Sequence, residues 1–470
     1  MQAFSRMRRE RLFSRMMIWG FAALVCWANA QAEPGSYGIE EGVALADSQN
    51  PEIIIARKKL EAARGGLIEA RSGYLPSVVS SGFADKRHTQ STSRLRNEDY
   101  NASIRALQNL YTGGAVTNQV AIAELLIEKQ ECELQEVRNK VAMDVRIGFY
   151  DLLLNRAKVN VRQNSVRVLN EELRSQEERL RAGIVGNLNV QRAQVALANE
   201  EPELATAKTQ LTNSYLRLGQ LFGIDYRSNP GDRQFEVAGK LQYAAVHPDL
   251  KQCLARAETK RPEIRARQID VEIEDRQYEV DRSELRPHLQ AFSGYEVYNE
   301  RDPLVGPEFN HGYLAGVSGS WHIFDGFATK GRMQATRARR EAAVAALEAA
   351  RRAVAAEVRS AFLDLEQGEN IIQTETRSVQ TADESLEIAK SNLAAGLGTQ
   401  LDILQAAADV SRTRTTRLSA IYLHNVALAR LARACASTPE ELNFAANRVR
   451  PRNEKQASEV AQPPAKLSKR

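Results

Sequence analysis

The chain carries one long pattern twice, and a duplication of this length means that a single structural unit is built twice and packed pseudo-symmetrically. Asn50-Pro51-Glu52-Ile53 is answered by Arg261-Pro262-Glu263-Ile264 and Pro76 by Pro287, both at a spacing of 211 (262−51, 287−76). After a small insertion the spacing becomes 213. Val141, Val145, Phe149, Asp151 and Leu152 then recur as Val354, Val358, Phe362, Asp364 and Leu365, and Ala182-Gly183 recurs as Ala395-Gly396. Function is therefore to be read from the unit.

The N-terminal residues have the form of a secretory signal peptide, expected over 1–32: Arg6, Arg8, Arg9, Arg11 and Arg15, then an apolar stretch from Met16 to Ala28 and the small-residue patterns Ala28-Asn29-Ala30 and Ala30-Gln31-Ala32. The apolar stretch is too short to span a membrane, and Val25 stands where a lipoprotein signal with Cys26 needs a small residue. Beyond it, Cys132, Cys253 and Cys435 show no paired short spacing, so no disulfide framework or metal knuckle is implied. The net charge of +5 owes much to the leader, and no nucleic-acid partner is expected. No later run approaches ~18 consecutive apolar residues. A membrane crossing by the mature chain would have to use β-strands.

Each unit opens with a helix, Pro51 to about Ser72 and Pro262 to about Leu285, with proline where its missing N–H costs nothing. Pro76 and Pro287 stop these helices. Two alternating stretches follow in each unit. Tyr100, Ala102, Ile104 and Ala106 alternate with Asn101, Ser103 and Arg105; Leu289, Ala291, Tyr295 and Val297 with His288, Gln290 and Glu296; Tyr313, Ala315, Val317 and Trp321 with Gly316, Ser318, Ser320 and His322. This period-two pattern predicts strands wet on one face and apolar on the other. Leu110-Tyr111-Thr112-Gly113-Gly114 and Ile323-Phe324-Asp325-Gly326-Phe327 end the second strand of each pair.

From there Ala115 to Ala182 and Ala328 to Ala395 hold no proline and favour helix, which would run roughly 100 Å at 1.5 Å per residue. Val137, Val141, Val145, Gly148 and Leu152 mark a coiled-coil seam. Gly183 and Gly396 break the helices, and return helices are expected from about Leu188 to Phe222 and from Leu401 to Cys435. The domain reading is a first repeat at 33–223, an inter-repeat segment at 224–260, a second repeat at 261–436, and a disordered, basic, proline-containing tail at 437–470.

Four strands cannot close a transmembrane barrel, and lipid offers no partner to their free edges, so several chains must share one barrel. Three copies of the four expected strands make 12, within the usual even-numbered range. The expected fold is mostly α with a β-barrel part: a trimeric 12-stranded barrel in outer-membrane lipid, continued by a long α-helical periplasmic tunnel. That geometry is a conduit.

The duplication, the two strand-to-helix junctions and the turn Ala395-Gly396-Leu397-Gly398-Thr399-Gln400-Leu401-Asp402-Ile403-Leu404 resemble the TolC-like outer-membrane efflux proteins, from about Glu41 to Ala436. The resemblance implies a homotrimeric exit duct of a tripartite efflux or type I secretion system. Its implied partners are a periplasmic adaptor (membrane fusion) protein and an inner-membrane pump of proton-driven or ABC type. It implies a pore gate at Asp402, whose carboxylates would ring the pore, with Gln405 where the family often has a second acid. It also assigns Gly183, Gly396, Gly398 and Thr399 to the periplasmic tip, serving turn geometry and adaptor docking. A soluble periplasmic coiled-coil adaptor is the competing reading; it predicts one hairpin and does not explain two strand pairs. The scattered histidines form no metal-spaced pair, and no nucleotide-binding loop or nucleophile elbow occurs, so no cofactor, metal site or enzymatic activity is expected.

Overall fold

The computed structural model describes residues 36–86, 98–226, 235–299, 309–439 and 441–442; the expected signal peptide and most of the expected tail lie outside the described residues. The first copy contains α1 (Ile39–Gln49), α2 (Pro51–Ser72), β2 (Ser77–Lys86), β3 (Glu98–Thr112), α3 (Ala115–Arg181) and α4 (Asn187–Leu221). The second contains α5 (Leu250–Lys260), α6 (Pro262–Ser283), β5 (His288–Asn299), β6 (Phe309–Ser320), α7 (Ala328–Ala394) and α8 (Gln400–Ala434). Two short strands, β1 (Ser36–Tyr37) and β4 (Glu236–Val237), pair in parallel.

Helix lengths repeat to the residue: 11 for α1 and α5, 22 for α2 and α6, 67 for α3 and α7, 35 for α4 and α8. The helix α5 therefore stands to the second copy as α1 does to the first, at the same spacing of 211 (250−39).

Local chemistry sets the ends. Pro51 and Pro262 occupy the first turns of α2 and α6, and Asn50 Oδ1 accepts from the Glu52 amide at 2.8 Å. Both helices end a few residues before Pro76 and Pro287, whose preceding residues are held extended, and a strand begins at the next residue. At the second junction of the first copy, Gly113 (φ +62°) and Gly114 (φ +97°) supply left-handed backbone. The second copy has Gly326 (φ +66°) but then Phe327 at φ +69°, a costly conformation for a bulky residue.

The strands form one antiparallel sheet in the order β2-β3-β5-β6. Below it lie two large cores and two smaller ones. The first joins α1, α2, α3 and α4 around Val141, Val145, Phe149 and Leu152; the second joins α5, α6, α7 and α8 around Ile264, Val354, Val358 and Leu365. The seam expected from sequence is thus the buried one. Packed chain runs past Ala436: Leu442 is fully buried in the second core, and the Arg256 guanidinium pairs with Glu441. No helix among the described residues is long and apolar enough to cross a membrane.

Candidate functional site

The sheet has two chemically distinct faces. One row runs Ser80, Ile104, Tyr295, Tyr313, and its face also carries Val78, Val297 and Val317. Tyr313 is 91 % exposed and Val78, Ile104 and Val317 are exposed with it, an apolar surface that none of the described residues covers. The adjacent row runs Ser81, Ser103, Glu296, Gly312. On that face Ser81 and Ser103 share a hydrogen bond of 3.0 Å, and Arg105 donates to Glu296 at 3.1 Å. A bulge between Asn109 and Tyr111 shifts the register near the base of β3.

Among the described residues, the outer edges of β2 and β6 have no strand partner. The strand β6 stops at Ser320, whereas β3 continues five residues beyond the equivalent Leu107 (107+213), held there by β5. The sequence pattern carried the last strand of each unit to its junction; in the single chain Trp321 to Asp325 have no such ladder. Trp321, Ile323, Phe324 and Phe327 stand exposed there, with Trp321 donating to the Leu285 carbonyl at 3.0 Å.

The helices show the same one-sidedness. α3 packs against α2 and α4 of its own copy and α6 and α8 of the other; α7 packs against α5, α6 and α8 of its own copy. Gly113 is likewise enclosed, a Cβ there standing 2.6 Å from the Ser283 carbonyl, while Gly326 has open space around it.

The four tip residues expected from sequence fall in the two turns. Gly183 (φ +71°) closes α3 and Gly396 (φ +75°) closes α7; Gly398 and Thr399 lead into α8. Ile184 and Leu397, 72 % and 82 % exposed, occupy equivalent places (184+213), as do the exposed Leu188 and Leu401. The buried Gln400 donates to the Asn189 carbonyl at 2.9 Å and ties one tip to the other, a contact between residues 211 apart that no local pattern announced.

Asp402 and Gln405 are both exposed on α8 and line, with Asp409, Ile388 and Leu397, a groove of about 860 Å³. The Asp402 carboxylate has a local partner. Its Oδ2 accepts from the Thr399 amide at 2.7 Å and the Thr399 hydroxyl at 2.8 Å, closing a capping box at the start of α8. These bonds, the backbone one first, hold its pKa below the usual aspartate range. Among the described residues no group of three or more His, Cys, Asp or Glu side chains is arranged to hold a metal ion.

Comparison with known proteins agrees with this architecture. The chain is 23% identical over 260 residues to the cobalt-zinc-cadmium resistance protein CzcC of Cupriavidus metallidurans, covering 55% of this chain and 58% of that one. It is 24% identical over 193 residues to the alkaline protease secretion protein AprF of Pseudomonas aeruginosa, covering 41% of this chain and 40% of that one. The matches thus span about half the length of these relatives. The outer-membrane channel OprN superimposes with a TM-score of 0.72 at 19% identity, covering 86% of this chain and 90% of that one, which shows the same fold. Residues 43–224 and 253–437, the two copies of the repeat, each match the family described as Outer membrane efflux protein, and the chain belongs to that family.

Proposed function

We propose that the protein is the outer-membrane exit duct of a tripartite efflux or type I secretion system, passing substrates from an inner-membrane transporter and its adaptor across periplasm and outer membrane. The carrying observation is the one-sidedness of the second copy: β3 and α3 are covered on both flanks, β6 and α7 on one. Channels of this family assemble as trimers. In such a trimer each open flank meets the first copy of a partner subunit, and three four-stranded sheets close a 12-stranded barrel with no free edge. The exposed Val78, Ile104, Tyr313 and Val317 then face lipid, and the Arg105–Glu296 face lines the lumen.

The tips support adaptor docking. Ile184, Leu188, Leu397 and Leu401 offer apolar contacts beside Gly183, Gly396, Gly398 and Thr399, at the ends of the helical hairpins farthest from the sheet. Asp402 and Gln405 are the proposed gate, with the carboxylate held by its cap. The relatives' names divide between metal resistance and protease secretion, and either cargo needs such a duct; a proton-driven or ABC-type pump supplies the energy. A soluble coiled-coil adaptor has no use for an uncovered apolar sheet.

Pseudo-symmetry fixes a testable register. Leu107 of β3 pairs with Phe292 of β5; the equivalent pair between protomers is Ser320 (107+213) with Ser81 (292−211) of the partner subunit. Both belong to the polar face, as a shared barrel requires. The double variant Ser81→Cys/Ser320→Cys should crosslink under mild oxidation into covalent trimers in the outer membrane. Crosslinks confined to single chains, or a folded monomer by native mass spectrometry, would overturn the duct.

A further inference from the structure

We infer that Cys253 and Cys435 form a disulfide in the exported protein, locking the base of the second copy. The inference goes beyond the duct reading and depends only on passage out of the cytoplasm, where thiols are otherwise kept reduced.

The geometry comes from both copies. Cys253 lies in the first turns of α5, and Cys435 is the residue that closes α8; both are fully buried in one core. Their equivalents in the first copy are Gly42 (253−211) and Phe222 (435−213). A Cβ placed on Gly42 would stand 2.5 Å from the Phe149 ring and 3.1 Å from the tip of the Phe222 ring, so this helix position faces the space between α3 and the residue that ends the hairpin. With cysteine at both places, the two thiols are sealed in the same core as neighbours, each shifting the acidity of the other. Cys435 is held in an ordered closure, with the Ala436 amide donating to Arg433 and the Ser437 amide to Ala432. Cys132 is the internal control. It is half-buried on α3, outside both large cores.

In the closed fold the two thiols act on each other. The hydrogen bond with Cys435 pulls the Cys253 thiol below its usual pKa, and the Arg256 charge acts in the same direction. The same contact, aided by burial, pushes Cys435 up. Both sulfurs are sealed in the finished fold, so exchange precedes the docking of α5 on the end of α8. The thiolate of either cysteine, written here for Cys253, attacks the disulfide of a periplasmic thiol:disulfide oxidase, forming a mixed disulfide and releasing one oxidase thiolate. Cys435, having lost its proton to solvent, then attacks the Cys253 sulfur and releases the second. One S–S bond is made in the protein and one broken in the oxidase. The two cysteines lose two electrons and two protons, and the oxidase is left as a dithiol. The closed ring runs from α5 to the end of α8 and encloses the whole second strand pair and hairpin.

The test reads the bond directly. Full-length protein from the outer-membrane fraction is unfolded in denaturant with a maleimide and no reductant, then digested and mapped by mass spectrometry. The expected result is a reducible peptide pair joining 253 and 435, loss of both alkylated peptides, and full alkylation of Cys132; prior reduction restores all three adducts. In Cys253→Ser, Cys435 should become alkylated without reductant. Full alkylation of Cys253 and Cys435 in unreduced protein, or a bond from either to Cys132, would overturn the inference. Because the readout is chemical and not transport, that failure would leave the duct reading standing.

Discussion

Phe149 and Phe362 hold the same place in the two copies, 213 residues apart, yet Phe149 is fully buried and Phe362 only half so. Phe149 slides beneath Gly42, where a Cβ would stand 2.5 Å from its ring, and meets Phe222 edge-on at 6.1 Å. Phe222 in turn packs on Phe235 at 5.1 Å, and Phe235 on Tyr215 at 5.6 Å. In the second copy the equivalents of Gly42, Phe222 and Tyr215 are Cys253, Cys435 and Leu428, and the aromatic cluster is gone. A polar relay has gone too: Asn155 donates to Ser214 and Ser214 to Asp151, each at 2.6 Å, where the second copy has Gly368, Ala427 and Asp364. Gly368 instead admits the backbone of His424, whose buried ring lies edge-on to Tyr243 at 4.9 Å. Helix lengths were kept while interiors were rebuilt. Length decides whether two hairpins reach the same tip; a core needs only matched volume.

Substitution of the paired phenylalanines probes that contrast most strongly. Phe149→Ala should cost about 3–5 kcal/mol, the range for a fully buried ring. Phe362→Ala should cost about half as much, as measured by chemical denaturation in mild detergent. Equal costs would mean that a partner subunit completes the burial of Phe362.

Next come the two staples at the starts of α2 and α6. Asn50 donates to the Leu221 carbonyl at 2.8 Å. Arg261, at the equivalent place, is 2 % exposed; it donates to the Arg433 carbonyl at 3.2 Å and pairs with Glu357 at 2.9 Å and Glu263 at 3.2 Å. Glu357 also pairs with Arg433 at 3.0 Å, so its charge keeps one partner when Arg261 is removed. Both carboxylates reach solvent, which screens the pairs. Arg261→Ala should therefore cost about 2–3 kcal/mol, below the loss expected for a sealed ion pair. Asn50→Ala should cost about 1–2 kcal/mol, from one cap and one carbonyl bond. The reverse order would show that the guanidinium network is surface chemistry despite its burial.

Local signals in the sequence were dependable. The ends of α3, α4, α7 and α8 fall within one or two residues of the breaks at Gly183 and Gly396 and of the expected return helices, because glycine, proline and helix-forming composition act within a few residues. The alternation in β3, β5 and β6 was equally legible. What escaped joins distant residues. The periodicity of Trp321 to Asp325 is that of a strand, but a strand needs a ladder, and the flank equivalent to β5 lies on another protomer in the proposed trimer. Leu442 looked like tail until its core was assembled, and Gln400 to Asn189, Arg261 to Glu357 and Cys253 to Cys435 become neighbours only once the two copies are folded.

The smallest effect separates two roles for one carboxylate. At the first tip the residue equivalent to Asp402 is Asn189 (402−213), and α4 starts at Gly186 with no side-chain cap; at the second tip Thr399 and Asp402 cap each other. Thr399→Ala should cost about 1 kcal/mol locally and speed exchange of the first-turn amides of α8 several-fold, leaving α4 unchanged. Because the Asp402 pKa is depressed in the fold, its capping contribution is fully present above the aspartate pKa of the unfolded chain and is lost as pH falls through the lower folded value. Charge and cap come apart in Asp402→Asn, which removes the charge but leaves an oxygen able to accept from the Thr399 amide. If three carboxylates ring a gate, Asp402→Asn should weaken divalent-cation block of single channels in planar bilayers while α8 stays protected, and Gln405→Ala should leave block unchanged. Asp402→Ala should weaken block and also loosen the first turn. Block that survives Asp402→Asn but fails in Asp402→Ala would make the carboxylate a cap alone, and the constriction would then have to be built from other residues of the groove.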